Sequence, residues 1–309
     1  MRYVAVMALL LVSAFWGGHS VIGKVVEAQI PPFALTVWRF TLAGVLYLPL
    51  LYRLLRARHW TAQKFWLVAL TGLFWAVLYP LFYYQALTMI NPVQSLLLIN
   101  TAPLFVLLLS RVFLKERLAV MQVMGIIVAF LGVVWMTVGH FGHAASLPGI
   151  LLTLVAALAF AGYTVTSRAL SGVSLLDLLA ASTLWGALDL WVLAFVTGRA
   201  GAVWGALGGL NAAGWAQLLY IVLIVSSLAY VLYLFGLRRL TTPVASALTF
   251  YPQVVFGSLM EWVWLGDRPT LAVLVSAVLI LGGVVLMNLR RRRSVGGQNH
   301  DSHHNLLEK

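Results

Sequence analysis

The sequence contains no cysteine, and only 8 of its 309 residues are Asp or Glu. Without thiols there are no disulfides, iron–sulfur clusters, thiolate zinc sites or cysteine nucleophiles, and the redox compartment is left undetermined. Charged residues of all kinds make up 9%, against about 25% in a soluble domain. An ordinary cytosolic enzyme is excluded by that figure, because a water-soluble chain must cover itself with polar groups. Also missing are His-Glu-x-x-His, Gly-x-Ser-x-Gly, the phosphate-binding Gly-x-x-x-x-Gly-Lys-Ser/Thr and paired aspartates. Hydrolytic or acid/base chemistry needs a nucleophile beside a base, or a metal with several ligands. The expectation is therefore no enzyme, with no catalytic residue, metal site or cofactor, and no ATP-driven pump.

What is present is apolar. Hydrophobic residues make up 62%, with Trp 12, Tyr 11 and Phe 15, and the mean hydropathy is +0.97. These values point to an all-α polytopic membrane protein whose main solvent is lipid. The net charge of +12 would suggest nucleic acid in a soluble protein. Here the cations fall in short loops and a terminal run, so no nucleic-acid partner is expected. Met1-Arg2 followed by an apolar run resembles a secretory signal, but the run continues through Val21 and Ile22 to Val26 without a small-x-small cleavage site. It reads as a first span.

Breaking the chain at its Gly, Pro and charged clusters gives ten candidate spans, near 3–25, 33–52, 65–86, 92–112, 120–139, 148–168, 175–197, 214–236, 243–264 and 270–289. With the N-terminus inside, the inner loops carry Arg53, Arg56, Arg58, Lys64, Arg111, Lys115, Arg117, Arg168, Arg238, Arg239 and the Arg290 to Arg293 run. The outer loops carry little beyond Lys24, Arg199 and Arg268. Lys and Arg collect on the cytoplasmic side, so both termini are expected there. Residues 294–309, with His300, His303 and His304, read as a disordered cytoplasmic tail.

An internal repeat is readable by eye. Pro92-Val93-Gln94-Ser95 matches Pro243-Val244-Ala245-Ser246, and the same offset of 151 carries Glu116-Arg117 onto Asp267-Arg268. It also carries Gly132-Val133-Val134 onto Gly283-Val284-Val285. Five spans per half is an odd number, so the second half is inverted, and inverted repeats are a transporter architecture with the substrate site at the midplane. The boundaries are 1–142 for the first repeat and 143–293 for the second. Asn91-Pro92 and Thr242-Pro243 each offer an N-cap followed by proline at the first helical position.

These motifs, with Phe15-Trp16-Gly17, Trp38-Arg39-Phe40, Asn100-Thr101-Ala102-Pro103 and Lys115-Glu116-Arg117, resemble the EamA-type members of the drug/metabolite transporter superfamily. The resemblance covers roughly residues 3–290. It implies ten helices in the inner (plasma) membrane and, usually, export of amino acids or similar small organic metabolites. The readings of a different class are a flippase for a lipid-linked substrate, a channel or a membrane-embedded enzyme.

Ionisable residues inside spans are expensive and so are functional candidates. His19, Arg39, Asp189 and Glu261 form that set, expected to couple or gate transport, with protons as the coupling ion. Asp177 reads as a first-turn carboxylate. Arg39 is expected to pair with Asp189 or Glu261, or to hold a substrate carboxylate. Trp16, His19, Arg39, Tyr79, Tyr83, Asn100, Tyr163, Trp185 and Tyr251 are the expected substrate-binding set, Asn100 and Tyr251 being related by the 151-residue offset. Gly125, Gly132, Gly282 and Gly283 suit helix packing within one chain or in a homodimer.

Overall fold

The computed structural model describes residues 2–56, 61–113, 115, 120–139, 146–170, 173–237 and 270–289, together with isolated positions between 249 and 268. Among them every regular element is helical. Seven helices are long and apolar enough to cross a membrane, and Val123–Gly132 and Leu271–Gly283 are shorter apolar stretches. Nine of the ten expected spans coincide with these helices. The tenth, 243–264, falls largely outside the described residues, as do Tyr251, Glu261 and the tail.

The first helices are α1 (Arg2–Glu27) and α2 (Pro32–Arg56). Helix α3 begins as Ala62–Gly72, passes through a π-helical stretch at Leu73–Leu78 and ends as Tyr79–Leu87. Next come α4 (Pro92–Ile99) and α5 (Ala102–Phe113), two halves of one span interrupted at Asn100-Thr101. Pro103 has no N–H to donate back to the Ile99 carbonyl, which accounts for a break at this point. The chain continues as α6 (Val120–Gly139), α7 (Leu147–Ala169), α8 (Leu175–Val196) and the short α9 (Ala200–Ala206). Helix α10 runs from Ala212–Leu219 through a second π-helical stretch, Tyr220–Leu228, into Ala229–Leu237, and α11 is Leu271–Leu289.

Helix starts follow the capping chemistry of the sequence. Asn91 accepts from the Gln94 backbone N–H at 2.7 Å while its own N–H donates to the Gln94 side chain at 3.3 Å. This reciprocal box, with Pro92 at the first helical position, satisfies donors that lipid cannot. Ser146 and Ser174 cap α7 and α8 in the same manner, accepting at 3.1 Å from the N–H groups of Gly149 and Asp177.

Helices from the two ends of the sequence interleave. Helix α1 packs on α10 and α4, and α7 packs on α3 and α5; α2 lies on α8, and α6 on α11. Small residues permit the closest approaches. A Cβ added to Gly17 would sit 2.6 Å from the Gln253 carbonyl oxygen and 2.9 Å from the Gly257 nitrogen, so α1 meets these two residues backbone to backbone. A Cβ on Gly132 would lie 2.9 Å from Ile280 Cγ1, so this glycine serves packing within one chain.

Candidate functional site

Arg39 lies seven residues into α2, about 10 Å from its Pro32 end, and only 1% of its surface is exposed. Burying a guanidinium requires that its donors be satisfied. Its Nε donates to Ser226 Oγ at 2.8 Å, and its Nη1 donates to the Tyr84 hydroxyl at 3.1 Å and to His19 Nε2 at 3.3 Å. The Tyr84 hydroxyl lies 2.8 Å from the same His19 nitrogen. With Arg39 donating to both groups, Tyr84 donates onward to His19, and Nε2 acts as acceptor; the assigned tautomer carries its proton on Nδ1.

This network forms one wall of a cavity between the helices. Trp16, His19, Arg39, Tyr79 and Tyr83 line it, together with Leu96, Ile99, Ala102, Phe160, Val225, Tyr230 and Gln253. The aromatic lining is ordered by helix geometry, since Tyr79 and Tyr83 are spaced by four on α3 and share a face. Tyr79 stacks on Tyr83 at 5.7 Å between centroids, and Tyr83 stacks on His19 at 5.7 Å. Tyr230 closes the far side, 4.4 Å from Trp75 and 5.2 Å from Trp16. The cavity measures about 40 Å³, room for about three waters.

The remaining expected residues lie elsewhere. Asn100 is buried just behind the lining and accepts a 2.7 Å hydrogen bond from Gln253. Tyr163 stacks on the back of Trp75 at 5.0 Å, one layer removed from the cavity. Trp185 packs edge-on against Phe65 at 5.0 Å, away from it. Asp189 is off the lining and makes no ion pair with Arg39. Arg39 is instead bonded to neutral acceptors, contrary to the expected pairing with Asp189. Tyr251 and Glu261 are outside the described residues. Asp177, expected as a first-turn carboxylate, also forms the ion pair with Arg53 that ties α8 to α2, the one such pair among the described residues. At the opposite end of these helices Arg199 sits over the Phe33 ring at 5.6 Å.

Tyr84, Ser226, Tyr230 and Gln253 are site residues that the sequence expectations omit. The repeat offset held a signal for one of them: Tyr230 lies 151 residues after Tyr79. Among the described residues no group of three His, Asp or Glu side chains is arranged to hold a metal ion.

With this geometry in place, the model of the EamA-like transporter family matches residues 3–138 and 147–289. The chain belongs to the EamA-like transporter family. It is therefore a multi-pass membrane protein of the drug/metabolite transporter superfamily. An uncharacterized transporter of Archaeoglobus fulgidus is 32% identical over 53% of this chain and 57% of its own length. One from Clostridium kluyveri is 22% identical over 90% of this chain and 91% of its own. A probable terminal-alkyne amino-acid exporter of Streptantibioticus cattleyicolor is 31% identical over 67% of this chain and 66% of its own. Against the first of these relatives the match spans little more than half of the relative's length. A solved crystal structure 23% identical in sequence superposes with a TM-score of 0.65, covering 95% of this chain and 100% of that one, and speaks for the fold alone.

Proposed function

We propose that the chain is a secondary transporter of the inner (plasma) membrane that exports amino acids or similar small organic metabolites by alternating access around the Arg39 cavity. The observation that carries this reading is the origin of the cavity walls. Trp16, Arg39 and Tyr79 come from the first family-matched segment, and Phe160, Val225 and Tyr230 from the second. A site shared between two halves opens to one side or the other as they rock.

In this reading residues 1–142 and 143–293 are inverted five-helix repeats, ten spans in all, with both termini cytoplasmic and 294–309 a cytoplasmic tail. The packing supports it: α1 on α10 is the counterpart of α7 on α3, while α2–α8 and α6–α11 are self-paired, as a two-fold relation between halves requires. Both π-helical stretches, Leu73–Leu78 and Tyr220–Leu228, fall in counterpart helices. A cavity with room for a few waters is the closed stage of the cycle, and an amino-acid-sized substrate enters when the walls part. Arg53–Asp177 joins α2 to the start of α8, Arg199–Phe33 joins α2 to the turn after α8, and the two act as the gates. The printed name of the Streptantibioticus relative supports the amino-acid end of the substrate range.

The test is counterflow in proteoliposomes preloaded with pools of amino acids, other organic acids, amines or nucleosides, with and without an imposed pH gradient. Exchange of one pool is the expected result. Correctly folded protein that exchanges none of them would overturn the reading.

A further inference from the structure

Among the described residues the charge in the cavity is unbalanced. Arg39 is the one cation among the described residues lining it, and that lining contains no carboxylate. Its described hydrogen-bond partners, Ser226, Tyr84 and His19, are a hydroxyl, a phenol and an imidazole nitrogen acting as acceptor. The three carboxylates among the described residues are engaged or placed elsewhere. Asp177 is held by Arg53, Glu27 is off the lining, two turns beyond His19 and close enough to Lys24 and Tyr84 to interact with both, and Asp189 is off the lining. A buried charge without an opposite partner is costly, so the cavity favours a ligand that brings a negative charge.

The rest of the wall specifies the body of that ligand. Trp16, Tyr79, Tyr83, Phe160 and Tyr230 line the same cavity as the guanidinium. Rings offer broad apolar contact with fixed geometry. They would also attract an ammonium group, but a guanidinium in the same small cavity repels it. Three neutral partners hold Nε and Nη1 and so fix the orientation of Arg39 before any ligand arrives, which leaves Nη2 to donate to a carboxylate.

We infer that the cavity binds organic carboxylates with an aromatic or apolar body, with Arg39 holding the carboxylate and the ring faces holding the body, and that an α-ammonium group contributes nothing to recognition. This rests on the transporter reading and narrows its substrate class from amino acids to apolar organic acids.

The test is titration calorimetry of the purified full-length protein with three probes that share one phenylethyl body: 3-phenylpropanoate, phenylalanine and phenethylamine. The acid should bind at least about tenfold more tightly than the amine, as one charged hydrogen-bonded contact implies, and phenylalanine no more tightly than the acid. Arg39→Gln should abolish the preference for the acid over the amine. The wild-type series needs no variant and so stands even where Arg39→Gln fails to fold. The inference is overturned by an amine that binds as well as the acid, by phenylalanine that binds far better than the acid, or by no binding of any probe. Counterflow of the same labelled probes separates this from the parent reading. Selective binding without flux would contradict transport and support the carboxylate anchor, whereas flux without selectivity would contradict the anchor and support transport.

Discussion

Arg39 Nε donates to Ser226 Oγ at 2.8 Å, which fastens α2 of the first matched segment to α10 of the second. Ser226 sits in the π-helical stretch Tyr220–Leu228, where the wider turn breaks the regular i→i+4 register. Such turns recur at functional sites. Ser226→Ala leaves a buried charged donor without its acceptor, at a cost of about 1–3 kcal/mol. A lowered unfolding temperature in detergent is the expected outcome, with Ser226→Thr restoring most of it. An unchanged melt in Ser226→Ala would contradict the importance assigned to this bond.

Tyr84 is fully buried, and its hydroxyl bridges Arg39 and His19. Tyr84→Phe keeps the ring and its packing but deletes the bridge. A loss of about 1–3 kcal/mol is expected from the two groups left short of a partner. Ligand binding should weaken as well, because His19 and Arg39 lose their common anchor. Calorimetry of binding and thermal melts on the same preparation check both effects, and a variant indistinguishable from wild type would remove Tyr84 from the site.

The site was partly legible in the sequence. Mid-span charge singled out Arg39 and His19, and helical spacing singled out Tyr79 and Tyr83; all four line one cavity with Trp16. The Asn91-Pro92 start was legible because capping chemistry is local. Facing was not. Helix α8 is apolar on every side, so no periodicity oriented Trp185 or Asp189, and both point away from the cavity. Tyr84 escaped notice beside Tyr83 because two adjacent helical positions both find buried surroundings here. Ser226 carried no sequence signal, because its position depends on a π-helical turn that the residues around it do not announce.

Gly17 is the tightest backbone approach at the site. Gly17→Ala would put a methyl 2.6 Å from the Gln253 carbonyl oxygen, and neither backbone can yield cheaply. Overpacking of this kind costs about 1–3 kcal/mol. Gly201→Ala, where nothing lies within 4 Å, is the matched control and should be neutral or slightly stabilising. Equal melting temperatures for the two variants would sink the argument.

The Arg53–Asp177 pair is half open to its surroundings, with side-chain exposures of 54% and 10%. Exposed pairs contribute about 0–1 kcal/mol, so a double-mutant cycle of Arg53→Ala and Asp177→Asn should give a coupling energy within that range. As a gate, the pair should matter more for exchange kinetics than for stability. A large coupling energy with unchanged exchange rates would assign it a structural role instead.

The absence of cysteine allows the central claim to be tested with a single introduced thiol. Ala102 is a small residue of the cavity lining, and Ala102→Cys would carry the sole thiol of the chain. In oriented vesicles, alternating access around the Arg39 cavity predicts that a membrane-impermeant maleimide labels this cysteine from either face, and that 3-phenylpropanoate slows both reactions. Labelling from one face alone, or from neither under conditions where exchange occurs, would contradict the account.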